Sequence, residues 1–500
     1  MRLLELIGDA DGVTVSNRAR AAELDITGLT ADSREVRAGY LFAAFPGNKV
    51  DGRDFIQDAI ARGATAILAP EGLSAVGLSA VVVTDTNPRQ RFAHMAASYF
   101  GRQVENVVAV TGTNGKSSTV NFCCQIWQSM DHAAASLGTI GIIANIGNSG
   151  GINRAGSLTT PDPVTLHSEI AELEAAGVTH LAIEASSQGM DQYRLDGLKI
   201  SAAGFTNLTR DHLDYHGTME KYFDSKARLF SEMIASDGIA VINADSDYAG
   251  KVRAICEKRG LRVIDFGHAA TDIKLVRRKP LPGGQFMELQ LFGERYELEL
   301  PLVGDFQAAN ALCALGLVIA EDPDDRGMQM RAVYALEKLQ SVRGRLEYAA
   351  KHPNGAAIYV DYAHTPDGLE TMLHALRPHT QNKLHVVFGC GGDRDKGKRP
   401  MMGEIAMRLA DRVIVTDDNP RTEDAAAVRA DIMKGCPDKL KVTEMAGRRD
   451  AIRAAVAKLS PGDVLVIAGK GHEQGQIVGK EILPFDDVTE AKNAVLEVTK

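Results

Sequence analysis

Short apolar runs that stop abruptly at glycine, small polar or acidic clusters recur along this 500-residue chain. In the middle of the chain they read VVAVTGTNGKSS, THLAIEASS, AAGFTNLTRDH and GIAVINADSD. Further on come AAIYVDYAH, LHVVFGCGGDRD, DRVIVTDDNP and DVLVIAGKGHE. A strand without polar alternation fits a parallel sheet covered on both faces. Ligands gather at the carboxyl ends of such strands. The pattern therefore predicts an α/β protein whose chemistry sits where the runs end.

Single cores stop growing at roughly 250–300 residues, so a chain of this length divides. Residues 1–105 hold shorter runs (GYLFAAF, ATAILAP, SAVVVTD) with helical patterns between them, a small N-terminal α/β domain. Residues 106–342 hold the first set of strand-then-polar units. They also hold an alternating stretch at 272–304 that predicts an antiparallel meander on the edge of a parallel sheet. Residues 343–500 hold the second set and read as a Rossmann-like α/β domain. No fixed-period repeat or low-complexity stretch is visible.

The chain carries 56 basic and 65 acidic residues, a formal charge of −9. A general binder of nucleic acid or acidic membranes usually leans the other way. One Trp and 5% aromatics argue against a stacking platform for single strands. Glu5 and Asp9 break the first apolar stretch, so no signal peptide is expected. The longest uncharged stretch, 132–153, is laced with Gly, Ser and Asn and makes a poor membrane span. Six scattered cysteines without a C-x-x-C pair read as buried reduced thiols, consistent with the cytoplasm.

The sharpest local signal lies between a strand at 107–110 and a helix from Ser117. Gly112, Thr113, Asn114, Gly115, Lys116, Ser117 and Ser118 form a phosphate-binding loop. Its glycines let backbone N–H groups turn toward phosphate, and the helix N-terminus adds its positive end. Lys116 can reach the outer phosphates and the Ser117 hydroxyl suits Mg²⁺. The common pattern G-x-x-x-x-G-K-S/T requires Gly at position 110, where this chain has Val110. The loop is a variant that points to ATP and says little about the reaction.

That variant resembles the loop of the Mur ligase family. Further segments are similar in order: Thr159-Thr160-Pro161, Glu184-Ala185-Ser186-Ser187, 207–214 (NLTRDHLD), 361–366 (DYAHTP), GGDRDKGKRP, DDNPR and GKGHE. The resemblance implies three domains: a UDP-binding one, a central P-loop ATPase-like one and a C-terminal one for the amino acid. It implies an ATP-dependent amide ligase of peptidoglycan precursor synthesis. Such an enzyme joins meso-diaminopimelate to the D-Glu carboxylate of UDP-MurNAc-L-Ala-D-Glu through an acyl phosphate. Mg²⁺ is the implied cofactor, the partners are these small molecules, and a monomer is expected.

The resemblance also assigns residues. Lys116, Glu184, His212 and Lys226 are the expected catalytic set. Ser117, Glu184, His212 and Lys226, the last as a carbamate, are the expected metal ligands. On composition alone Lys226 would be a surface lysine. Asn310, Arg345 and Asp361 resemble the family's nucleotide contacts. Gln307 stands where many relatives have Asn, so no adenine contact is carried over there. Ser33, Asn48, Lys49, Thr159, Thr160, Ser186, Gln192 and Arg194 are expected on the UDP-sugar dipeptide. Arg394, Asp418, Asn419, Pro420, Arg421, Gly469 and Glu473 are expected around the diaminopimelate. An Arg421 fork can grip a distal carboxylate that lysine lacks. Three alternatives stay open: a lysine-adding relative, a folylpolyglutamate synthetase, and an ATP-binding switch without ligase activity. Phosphate release with and without each substrate separates them.

Overall fold

The computed structural model describes residues 1–8, 12–47, 50–146, 150–156 and 158–498. The fold resolves into two compact units. The first holds Met1–Lys116, Asp131–Ile242 and Ser246–Ile264. The second holds Ser117–Met130, Asn243–Asp245 and Asp265–Lys500.

The first unit begins with a small sheet: β1 (Val13–Val15), β2 (Gly28–Thr30), β3 (Tyr40–Ala43), β4 (Ala66–Pro70) and β5 (Val81–Asp85), in the order β1-β5-β4-β3-β2. All neighbours are parallel except β1 with β5. The helix Pro88–Phe100 follows. Asn87 caps it by accepting from the Gln90 N–H, Pro88 sits where no donor is needed, and Gly101 ends it at φ 63°. Its Phe92, Met95 and Ala96 join Leu41, Leu68 and Val83 in one core.

The larger sheet of this unit has β6 (Asn106–Thr111) between two parallel neighbours, β10 (His180–Glu184) and β11 (Ile200–Phe205). Parallel β7 (Ala134–Gly138) extends it beyond β10, and parallel β12 (Ile234–Asn243) beyond β11. Val107–Val110 are at most 1% exposed, which explains why that run lacks polar alternation. An edge not foreseen from sequence adds β8 (Gly141–Asn145) and β9 (Gly151–Arg154) antiparallel to β7. Gly138, Gly141 and Gly151, within the stretch 132–153, lie at the strand ends of this corner. A Cβ on Gly141, at φ 103°, would strike the Arg154 carbonyl.

In the second unit, β13 (Arg262–Gly267) pairs through Phe266 and Gly267 with parallel β14 (Ile273–Leu281). Then β15 (Gly284–Leu291) and β16 (Glu294–Leu300) run antiparallel, the expected meander. Met287, Leu289 and Leu291 are buried while the residues between them are partly exposed. The last sheet contains β17 (Glu347–Lys351), β18 (Ala357–Asp361), β19 (Leu384–Phe388), β20 (Arg412–Val415), β21 (Val442–Glu444) and β22 (Val464–Ala468), in the order β17-β18-β22-β19-β20-β21. Only β17 is antiparallel. Val386, Phe388 and Val466 feed one core while Val387, Leu465 and Ile467 feed another. Two covered faces demand apolar residues at every position. A small hairpin, β23 (Gly475–Val478) with β24 (Glu481–Pro484), forms a separate sheet that meets Arg421, whose N–H donates to the Ile477 carbonyl at 3.0 Å.

The chain is thus α/β with parallel sheets and antiparallel edges. All six cysteines are free and buried, as expected. Among the described residues no helix is long and apolar enough to cross a membrane.

Candidate active site

In the first unit, β6 ends at Thr111 and the chain runs on through Gly112–Gly115 to Lys116, the first residue of the helix Lys116–Ser129, whose remainder belongs to the second unit. Gly112 (φ 149°) and Gly115 (φ 90°) make the turn. A Cβ at Gly112 would collide with Thr206 Oγ1 and press the Asn207 backbone. Only glycine fits here because the segment after β11 is bolted against the loop. Asn207 accepts from the N–H groups of Thr113 (2.9 Å, at its carbonyl) and Asn114 (3.0 Å, at Oδ1). Thr206 Oγ1 donates to the Asn114 carbonyl at 2.6 Å, and the Thr209 N–H donates to Thr113 Oγ1 at 3.0 Å. Lys116 Nζ donates to the carbonyls of Gly112 and Thr113, both at 2.9 Å. Ser117 and Ser118 open the helix, both buried.

Glu184 arrives by register: it pairs with Val110, so its strand ends beside the start of the loop. Its carboxylate is 1% exposed and accepts from the Thr139 N–H at 2.8 Å and from Thr139 Oγ1 at 3.2 Å. Thr139 Oγ1 also meets Thr159 Oγ1 at 2.9 Å. Thr139 was not singled out from sequence; it follows β7, whose pairing with β10 was the only possible clue.

Lys226 overturns its composition-based reading as a surface lysine. It lies on the helix Met219–Arg228, is 1% exposed, and its Nζ donates to the Gly112 carbonyl at 2.7 Å. It also stands 4.6 Å from the centroid of the Tyr222 ring, one helical turn away. Burial, helped by the charge of Lys116, pushes the Lys226 amine well below the usual lysine range. Tyr222 OH in turn lies 3.1 Å from Thr113 Oγ1. His212 sits at φ 50° with about half its side chain exposed, its Nε2 3.6 Å from Asp211. His216 is buried between Ser187 Oγ (3.0 Å) and Ser225 Oγ (3.2 Å), a link sequence reading missed.

Four residues expected on the dipeptide converge. Thr160 Oγ1 donates to the Glu184 carbonyl at 2.8 Å and accepts from the Ser186 N–H at 3.1 Å. Arg194 donates to the Thr160 carbonyl at 2.7 Å and to Gln192 Oε1 at 2.8 Å. Burial lowers the Arg194 guanidinium from its ordinary value, countered by Asp162 and Tyr215. Ser33 is buried in a turn that Asp32 caps through the Arg34 N–H. Asn48 and Lys49 lie outside the described residues.

A metal needs hard oxygen donors here. In the first unit Glu184 supplies such oxygens; an amine at Lys226 does not, but a neutral buried amine is the form that can take up CO₂ and become an oxygen ligand. Among the described residues no three His, Cys, Asp or Glu side chains form a metal cage. Mg²⁺ is commonly held by one or two carboxylates together with substrate phosphates, so the donor set fits that mode.

In the second unit, Asn310 donates to Gln307 Oε1 at 3.0 Å, and Gln307 donates to the Arg345 carbonyl at 3.2 Å. Gln307 therefore has a structural task. Asp361 accepts from the N–H groups of Leu346 (2.7 Å) and Ala363 (2.8 Å). Burial pushes its carboxyl up, against the pull of Arg345 and those N–H groups. The Arg345 guanidinium lies 5.0 Å from the Tyr362 ring centroid, and its Nε is buried without a partner.

Of the residues expected around the diaminopimelate, Asn419 and Glu473 are joined through Lys470 in one polar network. Lys470, fully buried, donates to Asn419 Oδ1 at 2.9 Å and Glu473 Oε2 at 3.0 Å. Asn419 Nδ2 donates to the same Glu473 oxygen at 2.8 Å. Arg421, at φ 53°, donates through Nη1 to the Gly392 carbonyl at 2.8 Å. Gly391 leaves room for that guanidinium: a Cβ there would sit 2.7 Å from Nη1. Gly469 likewise spares Asp418, whose Oδ2 a Cβ would approach to 2.6 Å. Pro420 lies between Asn419 and Arg421 and its carbonyl backs onto Gly392. Arg394 is exposed and donates to the Asp393 carbonyl at 3.3 Å. Lys470 was quoted within GKGHE but not chosen, because a lysine in a glycine-rich loop carries no burial signal.

Comparison with known proteins identifies the family. Residues 25–104 match the model described as Mur ligase family, catalytic domain. Residues 110–318 match the Mur ligase middle domain, and 344–471 the Mur ligase, glutamate ligase domain. The chain is 51% identical over 480 residues to the UDP-N-acetylmuramoyl-L-alanyl-D-glutamate–2,6-diaminopimelate ligase of Caulobacter vibrioides, covering 96% of this chain and 97% of that one. The protein of the same name from Zymomonas mobilis is 51% identical over 475 residues, covering 94% and 95%. A solved structure with that name superimposes at TM-score 0.74 and 31% identity, over 100% of this chain and 99% of the other.

Proposed function

The chain belongs to the Mur ligase family, and we propose from that premise how its residues divide the chemistry. The protein is an ATP-dependent ligase that adds meso-diaminopimelate to UDP-MurNAc-L-Ala-D-Glu in peptidoglycan synthesis. The observation that carries the residue assignment is the convergence on Gly112. The loop turns there, Glu184 ends beside it, and Lys226 donates to its carbonyl.

Phosphoryl transfer between two anions depends on positioning and charge neutralisation more than on covalent help. The N–H groups of Gly112–Ser118 and Lys116 hold the ATP phosphates. Asn310, Arg345 and Asp361 hold the nucleoside end. Glu184, His212, Ser117 and Lys226 as its carbamate would hold Mg²⁺, which when bound neutralises charge on the transferring phosphoryl group. Thr159, Thr160, Ser186, Gln192 and Arg194 position the dipeptide, and Ser33, Asn48 and Lys49 its UDP end. The D-Glu carboxylate takes the γ-phosphoryl group. The amine of diaminopimelate attacks the acyl phosphate, and phosphate leaves. Arg394, Asp418, Asn419, Pro420, Arg421, Gly469 and Glu473 hold the donor, with the Arg421 fork on its distal carboxylate.

We propose domains at 1–105, 106–342 and 343–500, a division supported by separate family matches over 25–104, 110–318 and 344–471. We also propose a cytoplasmic monomer, in keeping with reduced buried thiols and a UDP-linked substrate.

The test is phosphate release with each substrate omitted in turn and with a panel of amino acids. Strict dependence on ATP, the UDP-dipeptide and diaminopimelate is expected. Equal turnover with lysine would overturn the Arg421 assignment. Lys226→Ala is expected to lose activity and regain part of it with small carboxylates; an undiminished variant would overturn the carbamate.

A further inference from the structure

The last sheet has a second functional end. The carboxyl ends of its parallel strands carry Asp418–Arg421 and Gly469, already assigned to the donor. At the amino ends of β19, β20, β21 and β22 lies a cavity of about 380 Å³, within the size range of small-ligand pockets. Lys383, Arg412, Lys441 and Lys458 line it, with His385 and Asp463. β22 is five residues long, so about 16 Å of strand at roughly 3.3 Å per residue separates the two ends.

The charge of this cavity is one-sided. None of its four cations makes an ion pair among the described residues, although the whole chain carries −9. Arg412 donates to the carbonyl of Leu440 in the cavity wall, while the Lys441 ammonium rests on the Met407 carbonyl and its charge reaches the nearby Asp411. The single acid is already spent. Asp463 accepts from Asn382 Nδ2 at 2.8 Å, the Lys383 N–H at 3.0 Å, the Ser460 N–H at 2.8 Å and His385 Nε2 at 3.0 Å. Those bonds hold His385 in the wall. Burial keeps its imidazole below the ordinary histidine value, with Lys383 and Arg412 adding to the effect against the pull of Asp463.

We propose that this cavity is a second ligand site, separate from the reaction, for a small phosphate-bearing metabolite. Lysines act as point charges and arginine as a fork for phosphate oxygens, and a concave site favours a compact anion over an extended polymer.

The probe is inorganic pyrophosphate, titrated calorimetrically into full-length protein without Mg²⁺. The Lys116→Ala variant removes the competing phosphate loop. Histidine ¹⁵N–¹H spectra follow the His385 ring, assigned with His385→Asn. Binding to Lys116→Ala is expected, with the His385 signal moving at saturation. Adding Lys383→Glu and Lys458→Glu, both at exposed positions, should weaken binding at least about tenfold. In an otherwise unchanged chain that pair should leave turnover without pyrophosphate intact. No binding, binding indifferent to the two reversals, or a silent His385 would overturn the proposal. Binding to anionic vesicles or duplex DNA with none to pyrophosphate would also overturn it.

Discussion

The loop proposed for phosphate and the pocket proposed for the amino-acid donor face the same problem, recognition of anionic groups, and are built by different means. The loop is set by backbone. Glycines turn it, Asn207 and Thr206 fasten it to the neighbouring strand end, and even Lys116 and Lys226 rest on main-chain carbonyls. The donor pocket is set by side chains. Buried Lys470 joins Asn419 to Glu473, and Arg421 reaches across to Gly392. Phosphate looks alike on every nucleotide, so N–H groups at a turn and a helix start suffice. Telling one diamino acid from a close relative takes charges fixed at both ends, and those have to be held by other buried polar groups.

This contrast can be broken most severely at Lys470. Lys470→Met is expected to cost about 3 kcal/mol, because a buried partner of Glu473 and Asn419 is lost. Denaturant unfolding of the variant reads the stability share, and KM for diaminopimelate the binding share. A loss under 1 kcal/mol in both would mean the pocket does not depend on its network.

Arg421→Ala is expected to lose on the order of 2–4 kcal/mol in kcat/KM for diaminopimelate. KM for ATP should stay unchanged. A parallel rise in KM for ATP would show that donor and nucleotide recognition are not separate.

On the loop side, Gly112→Ala forces a Cβ into Thr206 and Asn207 at a disfavoured φ. Strain of this kind costs about 1–3 kcal/mol. KM for ATP should rise while the donor KM holds. Thr139→Val removes one of the two hydrogen bonds that hold the Glu184 carboxylate. It should lower kcat by about tenfold, since one such bond contributes about 1–1.5 kcal/mol.

The smallest effect concerns acid. Burial holds the His167 imidazole down to about 4, against the upward pull of its hydrogen bond to the Asp196 carbonyl. The unfolded chain therefore binds more protons between about pH 6.5 and 4. Stability supplied by the neutral ring is complete above the unfolded value and is lost as pH falls. Between pH 6.5 and 5 the loss should be about 1–2 kcal/mol, and His167→Gln should flatten that slope in urea titrations.

Much of this was legible in the chain. Runs such as VVAVTG and LHVVFG showed parallel strands because both faces are covered, and alternation at 272–304 showed the meander. The β7–β8–β9 corner was not legible, because its glycines serve close backbone approach and erase any alternation. Ser33 and the cluster of Thr160, Ser186, Gln192 and Arg194 were found through motif resemblance, and only the last four are brought together by contacts described above.

By itself the sequence determined which strands are buried, where each ends, and which loop can hold phosphate. These follow from local properties: side-chain polarity, glycine and helix starts. Tertiary structure alone decided the state of individual polar groups. Lys226 on its helix reads as a surface lysine, and nothing local marks Lys470 in its loop as buried. Each is stripped of water by elements distant in the chain: Gly112 for one, Asn419 for the other. Burial and partner, which set the charge of a lysine, are properties of the packed molecule.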